Sequence, residues 1–171
     1  MALNTTATLS VDTTFQQQDT SANSTDNRTG SISYTQSLTS GTGSLEIDAV
    51  YNIQDYALPS GETLSINFNS VAQPIVGGSI SLSFNNIKSF AIHNSATSVG
   101  EDVKVAATGS NPLTEPFNGG AGNLLVKPSS SYIYSDPYTG ATVDSSNRNI
   151  HISNQGTGTI NLTVVAVGVT G

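Results

Sequence analysis

Apolar and polar residues alternate with a period of two over most of this chain. Across 87–95, Phe90 and Ile92 alternate with Ser89, Ala91 and His93. Across 159–168, Ile160, Leu162, Val164 and Ala166 alternate with Asn161, Thr163 and Val165. Such spacing sends one set of side chains to a buried face and the other to water, as in a half-buried strand. The same pattern sets Leu45, Ile47 and Ala49 against Glu46, Asp48 and Val50. It recurs in Leu64, Ile66 and Phe68, and again in Ile80, Leu82 and Phe84 with Ser79, Ser81 and Ser83 facing the other way. Shorter pieces follow at Val103–Ala107, Leu124–Val126 and Ile150–Ile152. Pro59-Ser60-Gly61 and Asn85-Asn86 read as turns, and Pro112 and Pro116 mark a loop. No eleven-residue window carries a 3.6 period. About ten short strands separated by turn signals predict an all-β fold, a jelly-roll-like antiparallel β-sandwich in one domain.

The expected inward pairs are Leu45 and Ile47, Leu64 and Ile66, Leu82 and Phe84, Phe90 and Ile92, Val103 and Val105, Leu124 and Val126, Ile150 and Ile152, and Leu162 and Val164. Burying each stabilises by about 1.5–3 kcal/mol before conformational entropy is subtracted. The division expected is a polar N-terminal strand or arm region over 1–43 and a sandwich domain over 44–171. Strand-like starts occur at Ala7, Leu9 and Val11 and at Ile32 and Tyr34. Between them Gln16–Gly30 is almost without apolar residues, so it is expected as a long exposed loop, or as an arm ordered only against a partner. Phe15 and Arg28 are its candidate partner contacts.

Composition narrows the chemistry. Twelve acids and five bases give a net charge of -7, and the bases Arg28, Lys88, Lys104, Lys127 and Arg148 are scattered. Phosphate binding needs clustered Lys and Arg, so nucleic acid is not an expected partner. The chain has no cysteine, which removes disulfides, thiolate metal sites and a Cys nucleophile. Charged residues are 10% of the chain, while Ser, Thr, Asn and Gly make up 78 of 171 residues. A surface of hydroxyls and amides makes contacts that salt screens little. No apolar stretch is long enough for a membrane span, and Met1–Val11 lacks the pattern of a signal peptide. The Asn-X-Ser/Thr triplets at Asn4, Asn23, Asn27 and Asn161 are read as chance in a Thr-rich chain.

Candidate chemistry is sparse. His93 and His151 each sit in an alternating run, and on neighbouring strands the two imidazoles could share a metal. Hydrogen-bonding histidines at a surface or interface are the simpler reading, since no further His or Cys completes a site. Asp12, Asp19 and Asp26 recur every seven residues, but without the tight spacing of a calcium loop. Glu101-Asp102 reads as half of such a site or as a solvated turn. Neither a metal nor any other cofactor is expected. Glu46, Asp48, Glu62 and Glu115 could serve as paired carboxylates for glycoside hydrolysis, as could the acids of any β protein. There is no Gly-x-Ser-x-Gly elbow, and Asn118-Gly119 is a plain turn signal. The Gly-Thr-Gly segments at 41–43 and 156–158 precede strands, so neither is a phosphate cradle at a helix start. The expectation is a chain that is not an enzyme. Its densest aromatic group is Tyr132, Tyr134 and Tyr138. It reads as partial burial at a sandwich edge, as an interface anchor, or as a platform for sugar rings.

The segments Lys88–Asn94, Val103–Val105, Asn111–Gly122, Gly122–Pro128, Arg148–Asn154 and Thr159–Gly168 together resemble the head-decoration, or cement, proteins of tailed bacteriophages. The resemblance covers about half the chain. It implies a jelly-roll-like sandwich that is made in the host cytoplasm and sits on the capsid exterior. There it would bridge major capsid protein subunits, often as a homotrimer. A receptor- or glycan-binding tip of a tail fibre and a minor jelly-roll capsid protein are the alternatives.

Overall fold

The computed structural model describes residues 6–21, 24–117 and 122–171. Asn4, Asn23 and the Asn118-Gly119 turn therefore lie outside the described residues. Within them the fold is all-β, with fourteen strands named β1 to β14 in chain order, paired antiparallel except for the short parallel contact of β2 with β3. One sheet orders β4 (Ala49–Leu58), β14 (Ile160–Thr170), β8 (Phe84–Asn94) and β11 (Ser130–Ser135), with β12 (Ala141–Thr142) also on β8. The facing sheet orders β5 (Thr63–Asn67), β13 (Asn149–Asn154), β9 (Val103–Ala106) and β10 (Asn123–Val126). Between the sheets lies one apolar core, built from the inward positions of both. Its centre is aromatic. Phe68 meets Tyr51, Phe84 and Phe90 edge-on at centroid distances of 6.4, 6.0 and 5.8 Å, each pair adding about 0.5–1.5 kcal/mol beyond area burial.

Of the sixteen expected inward residues, Leu45, Leu64, Leu82 and Leu124 are half-buried and the rest are buried. Leu45 does not belong to a strand. Its φ of 60° places it in a turn, and β3 (Glu46–Ile47) begins after it. Ile80 is a second correction: it belongs to β7 (Gly78–Leu82), which pairs with β6 (Val71–Ile75) in a hairpin outside the sandwich, and it is exposed. Asn85-Asn86 is not a turn either, because β8 runs through it.

Two irregularities explain where simple alternation fails. Opposite β14 the pairing steps from Val167↔Ser89 to Gly168↔Ile87, so Lys88 is skipped and both Ile87 and Lys88 are buried. The bulge brings backbones so close that a Cβ on Gly168 would stand 2.0 Å from the Asn86 carbonyl oxygen. On the other side of β14, pairing steps from Leu162↔Tyr56 to Val164↔Ile53, with Asp55 at a φ of 52°. At the outer edge of β4, the Asn52 N–H donates to Gln73 Oε1 (2.5 Å), and Gln73 Nε2 donates to the Asn52 carbonyl (3.1 Å). One amide thus occupies an edge that would otherwise invite another strand, and it pins the β6–β7 hairpin.

The largest departure from expectation is at the N-terminus. Of the expected loop, the residues 16–21 and 24–30 are strand. β1 (Ala7–Ser21) and β2 (Ser24–Ser40) form a hairpin in register from Ala7↔Leu38 to Ser21↔Ser24. At roughly 3.4 Å per residue its 15-residue strand β1 spans about 50 Å. Strand pairing tolerates Thr, Ser and Gln where neither face must be buried, so the missing apolar alternation did not exclude strands. Among the described residues the hairpin pairs with one further strand, β3, through Thr39↔Glu46 and Ser40↔Ile47. Its base packs on the sandwich through a second small cluster of Leu38, Ile47 and Val167, flanked by Ala7, Val50 and Val165.

Candidate functional site

With no catalytic constellation in the sequence, the candidate site is a surface. The outer face of the β4–β14–β8–β11 sheet is set by register. One row across it reads Ser135, Ser89, Val167, Val50; the next reads Ile133, Ala91, Val165, Asn52; a third holds Ser131, His93 and Thr163. No Asp, Glu, Lys or Arg stands in these rows. Where the hairpin base lies over the sheet, Ala7, Thr8 and Leu38 face Ser89, Ala91, Val165 and Val167 across a groove of about 210 Å³.

Beside it is a rigid loop. The buried Lys88 ammonium donates to the carbonyls of Tyr138 and Thr139, the latter at 3.1 Å. Asp136 Oδ1 accepts from the N–H groups of Tyr138 and Thr139 (3.2 and 3.1 Å), and the Leu45 N–H donates to the Pro137 carbonyl (3.0 Å). The turn before β3 and the loop after β11 are thereby fastened together. Tyr138, 65% exposed, is displayed from this frame. Tyr132 and Tyr134 do not share its loop. Both lie on β11, half-buried against the core, with Tyr132 stacked on Phe117 at 6.4 Å and its hydroxyl donating to the Pro116 carbonyl at 2.8 Å. Burial raises both phenol pKa values. That of Tyr134 is pushed up to about 12, with the charges of Asp136 and Glu115 adding to the effect. Phe15 and Arg28 stand opposite Gly30 and Gln17 in the hairpin ladder; their side chains lie outside what the structure describes.

The histidines cannot share a metal. His93 is on β8 and His151 on β13, in different sheets, and each faces away from the core. Each has a serine instead: Ser131 Oγ lies 3.0 Å from His93 Nδ1, and Ser65 Oγ lies 2.8 Å from His151 Nδ1. The hairpin register sets Asp19 opposite Asp26 but Asp12 opposite Ser33, seven residues along and about 23 Å away, so the three acids do not converge. Among the described residues no three His, Asp or Glu stand together as a metal site.

Five further acids have local duties that are not evident from the sequence. Both Gly-Thr-Gly segments wrap a carboxylate of the chain itself. Gly43 N–H donates to Glu46 (2.7 Å), while Gly158 N–H and the Thr157 hydroxyl donate to Glu101 (3.2 Å each). A Cβ on Gly156 would fall 2.0 Å from Glu101 Oε2. Asp102 pairs with Lys127 at 2.6 Å, Asp48 accepts from the backbone and hydroxyl of Thr170 (2.7 and 2.8 Å), and Glu115 accepts from Asn147 (2.6 Å). Two fully satisfied buried asparagines also escaped notice as clamps. Asn94 closes the end of β8 through the carbonyls of Glu101 and Val126 and the Ala96 N–H. Asn154 does the same for β13 through Leu58, Gly158 and Gly156. Their signal was available, since Lys88–Asn94 and Arg148–Asn154 both read as a base, an alternating strand and a final Asn.

No protein-family model and no curated protein matches this chain.

Proposed function

We propose that this chain is a virion structural protein. It decorates a bacteriophage capsid and stabilises it by bridging major capsid protein subunits, working as a homo-oligomer with a trimer favoured. The observation that carries the reading is a hairpin of 15- and 17-residue strands whose described apolar contacts with the sandwich lie at its base. A two-stranded ribbon is marginal alone in water, so one this long calls for a neighbour to lie against. Strand order adds support. Counting β4, β5, β8, β9, β10, β11, β13 and β14 as one to eight, the sheets run 1-8-3-6 and 2-7-4-5. That order supports a jelly-roll reading, an architecture common in viral capsid and lectin domains. The uncharged outer sheet face suits a permanent contact that salt does not loosen.

Quantitative mass spectrometry of purified particles tests the proposal. Hundreds of copies per particle are expected, with shells lacking the protein breaking at a lower temperature. Removing residues 9–36 should abolish binding to preformed shells. Absence of the protein from particles would overturn the reading. Tyr138, held rigid and exposed, favours a second reading as a receptor- or glycan-binding tip of a tail fibre. That reading expects a handful of copies per particle and binding to sugar arrays that Tyr138→Ala removes.

A further inference from the structure

We infer that copies of this chain associate by seating the β6–β7 hairpin tip of one in the apolar groove under the β1–β2 base of another. The tip is a knob. Ile75, Val76 and Ile80 are 49%, 105% and 42% exposed, around a turn made tight by Gly77 at a φ of 86°. No residue from Val71 to Leu82 is charged. The two hydrogen bonds between Gln73 and Asn52, one donated by each, anchor this hairpin to the edge of β4, so the knob is presented and does not trail. An isolated exposed Val needs no explanation, but three large apolar side chains on one short rigid turn form the kind of patch that marks a contact.

The groove is the matching hole. Ala7, Leu38, Ala91 and Val165 line it, with Val167 beneath, and it encloses about 210 Å³. An apolar cavity of roughly 150 Å³ already admits a benzene-sized molecule, so there is room for branched aliphatic side chains. The argument for a second copy as the occupant is electrostatic. At a net charge of -7 two copies repel, and their contact belongs where both surfaces carry no charge. The tip and the described lining of the groove each meet that condition. A lipid surface fits less well, since the tip has no Lys, Arg or Trp to anchor it at headgroup level. Because knob and hole are different surfaces, each copy offers one of each, and the contact closes as a reciprocal dimer or as a ring.

The chain contains no cysteine, so single thiols report cleanly. Val76→Cys and Ala91→Cys preparations are mixed and oxidised. The mixed Val76–Ala91 cross-link should exceed either same-site cross-link by about tenfold, since a disulfide forms only across a short, defined separation. Sedimentation of the wild-type chain should show concentration-dependent association that Val76→Asp weakens by about tenfold or more. The fully exposed position keeps that variant folded, which circular dichroism checks. Three results would each overturn the inference: a chain monomeric at every concentration, Val76–Val76 cross-links as the main product, or a monomer whose tip binds zwitterionic vesicles. The inference rests on the homo-oligomer of the proposed function; all of this uses purified chain without shells, so a negative result removes self-association and leaves binding to the capsid to be decided on particles.

Discussion

The sandwich and the N-terminal hairpin are both antiparallel β-structure, yet they are held by different forces. In the sandwich, alternate residues of two sheets meet in one core with Phe68 at the centre of an aromatic cluster. The hairpin has a continuous ladder, but its strands pair chiefly with each other, whereas the inner strands of the sandwich pair on both sides. Leu38 and Ala7 at its base touch Ile47, Val165 and Val167, and these are its described apolar contacts with the body. Backbone hydrogen bonds are close to neutral when the alternative partner is water, whereas apolar burial is the dominant favourable term. Regular pairing is thus shared by both regions, and stability is concentrated in one.

Phe90→Ala tests the contrast at its largest. Phe90 is fully buried and lies edge-on to Phe68 at 5.8 Å. Truncation should cost about 3–5 kcal/mol through lost transfer energy and the cavity left behind. Thr35→Ala, on the hairpin opposite Ser10, should change stability by less than about 0.5 kcal/mol. Urea unfolding measures both. Equal losses would mean that the hairpin shares the core's cooperativity and that the two regions are one stabilising unit.

The same contrast explains what could be read from the chain. Phe90, Ile92, Ile150, Ile152, Leu162 and Val164 follow the period of two and are all buried, because a core imposes its spacing on the residues that make it. Ile87 and Lys88 break the rule because a bulge leaves consecutive residues buried, Ile87 in the core and Lys88 against the carbonyls of Tyr138 and Thr139. Over 16–30 the hairpin sequence carries no apolar alternation, and a Thr- and Gln-rich stretch reads the same whether paired or loose. Of the candidate surface, the alternating outer residues Ala91 and Val165 were legible. The groove they line was not, since it forms only when Ala7 and Leu38, 84 and 127 residues distant from Ala91 and Val165 respectively, fold over them.

A middle-sized effect concerns how the sandwich closes its loops with polar groups. Asn154 is buried, donating to the carbonyls of Leu58 (2.9 Å) and Gly158 (2.8 Å) and accepting from the Gly156 N–H (2.8 Å). Asn154→Ala leaves those backbone groups without partners and should cost about 2–3 kcal/mol in the same unfolding assay. Asn154→Asp keeps the acceptor but loses both donations, so it should recover little. Full tolerance of Asn154→Ala would mean that the strand-ending asparagines are incidental to the fold.

The smallest expected effect lies in the hairpin and depends on pH. The Asp12 carboxylate accepts from the Ser33 hydroxyl across the ladder and from the Ser10 hydroxyl along its own strand (2.8 Å). Those bonds, that from Ser33 first, hold its pKa below the usual carboxylate value. A depressed folded pKa means that the unfolded chain takes up the proton more readily. The stabilisation is therefore present above the unfolded pKa and is lost as pH falls through the folded one. Because the site is fully exposed, solvent screens it, and it should register as a titration more clearly than as a change in melting. An NMR titration of Asp12 should show the lowered value, and Ser33→Ala should move it back towards the ordinary range. The rows of the sandwich should be unaffected by that variant. If Asp12 titrates normally in the wild-type chain, the link between β1 and β2 at this rung is missing, and the hairpin rests on its backbone ladder and its base alone.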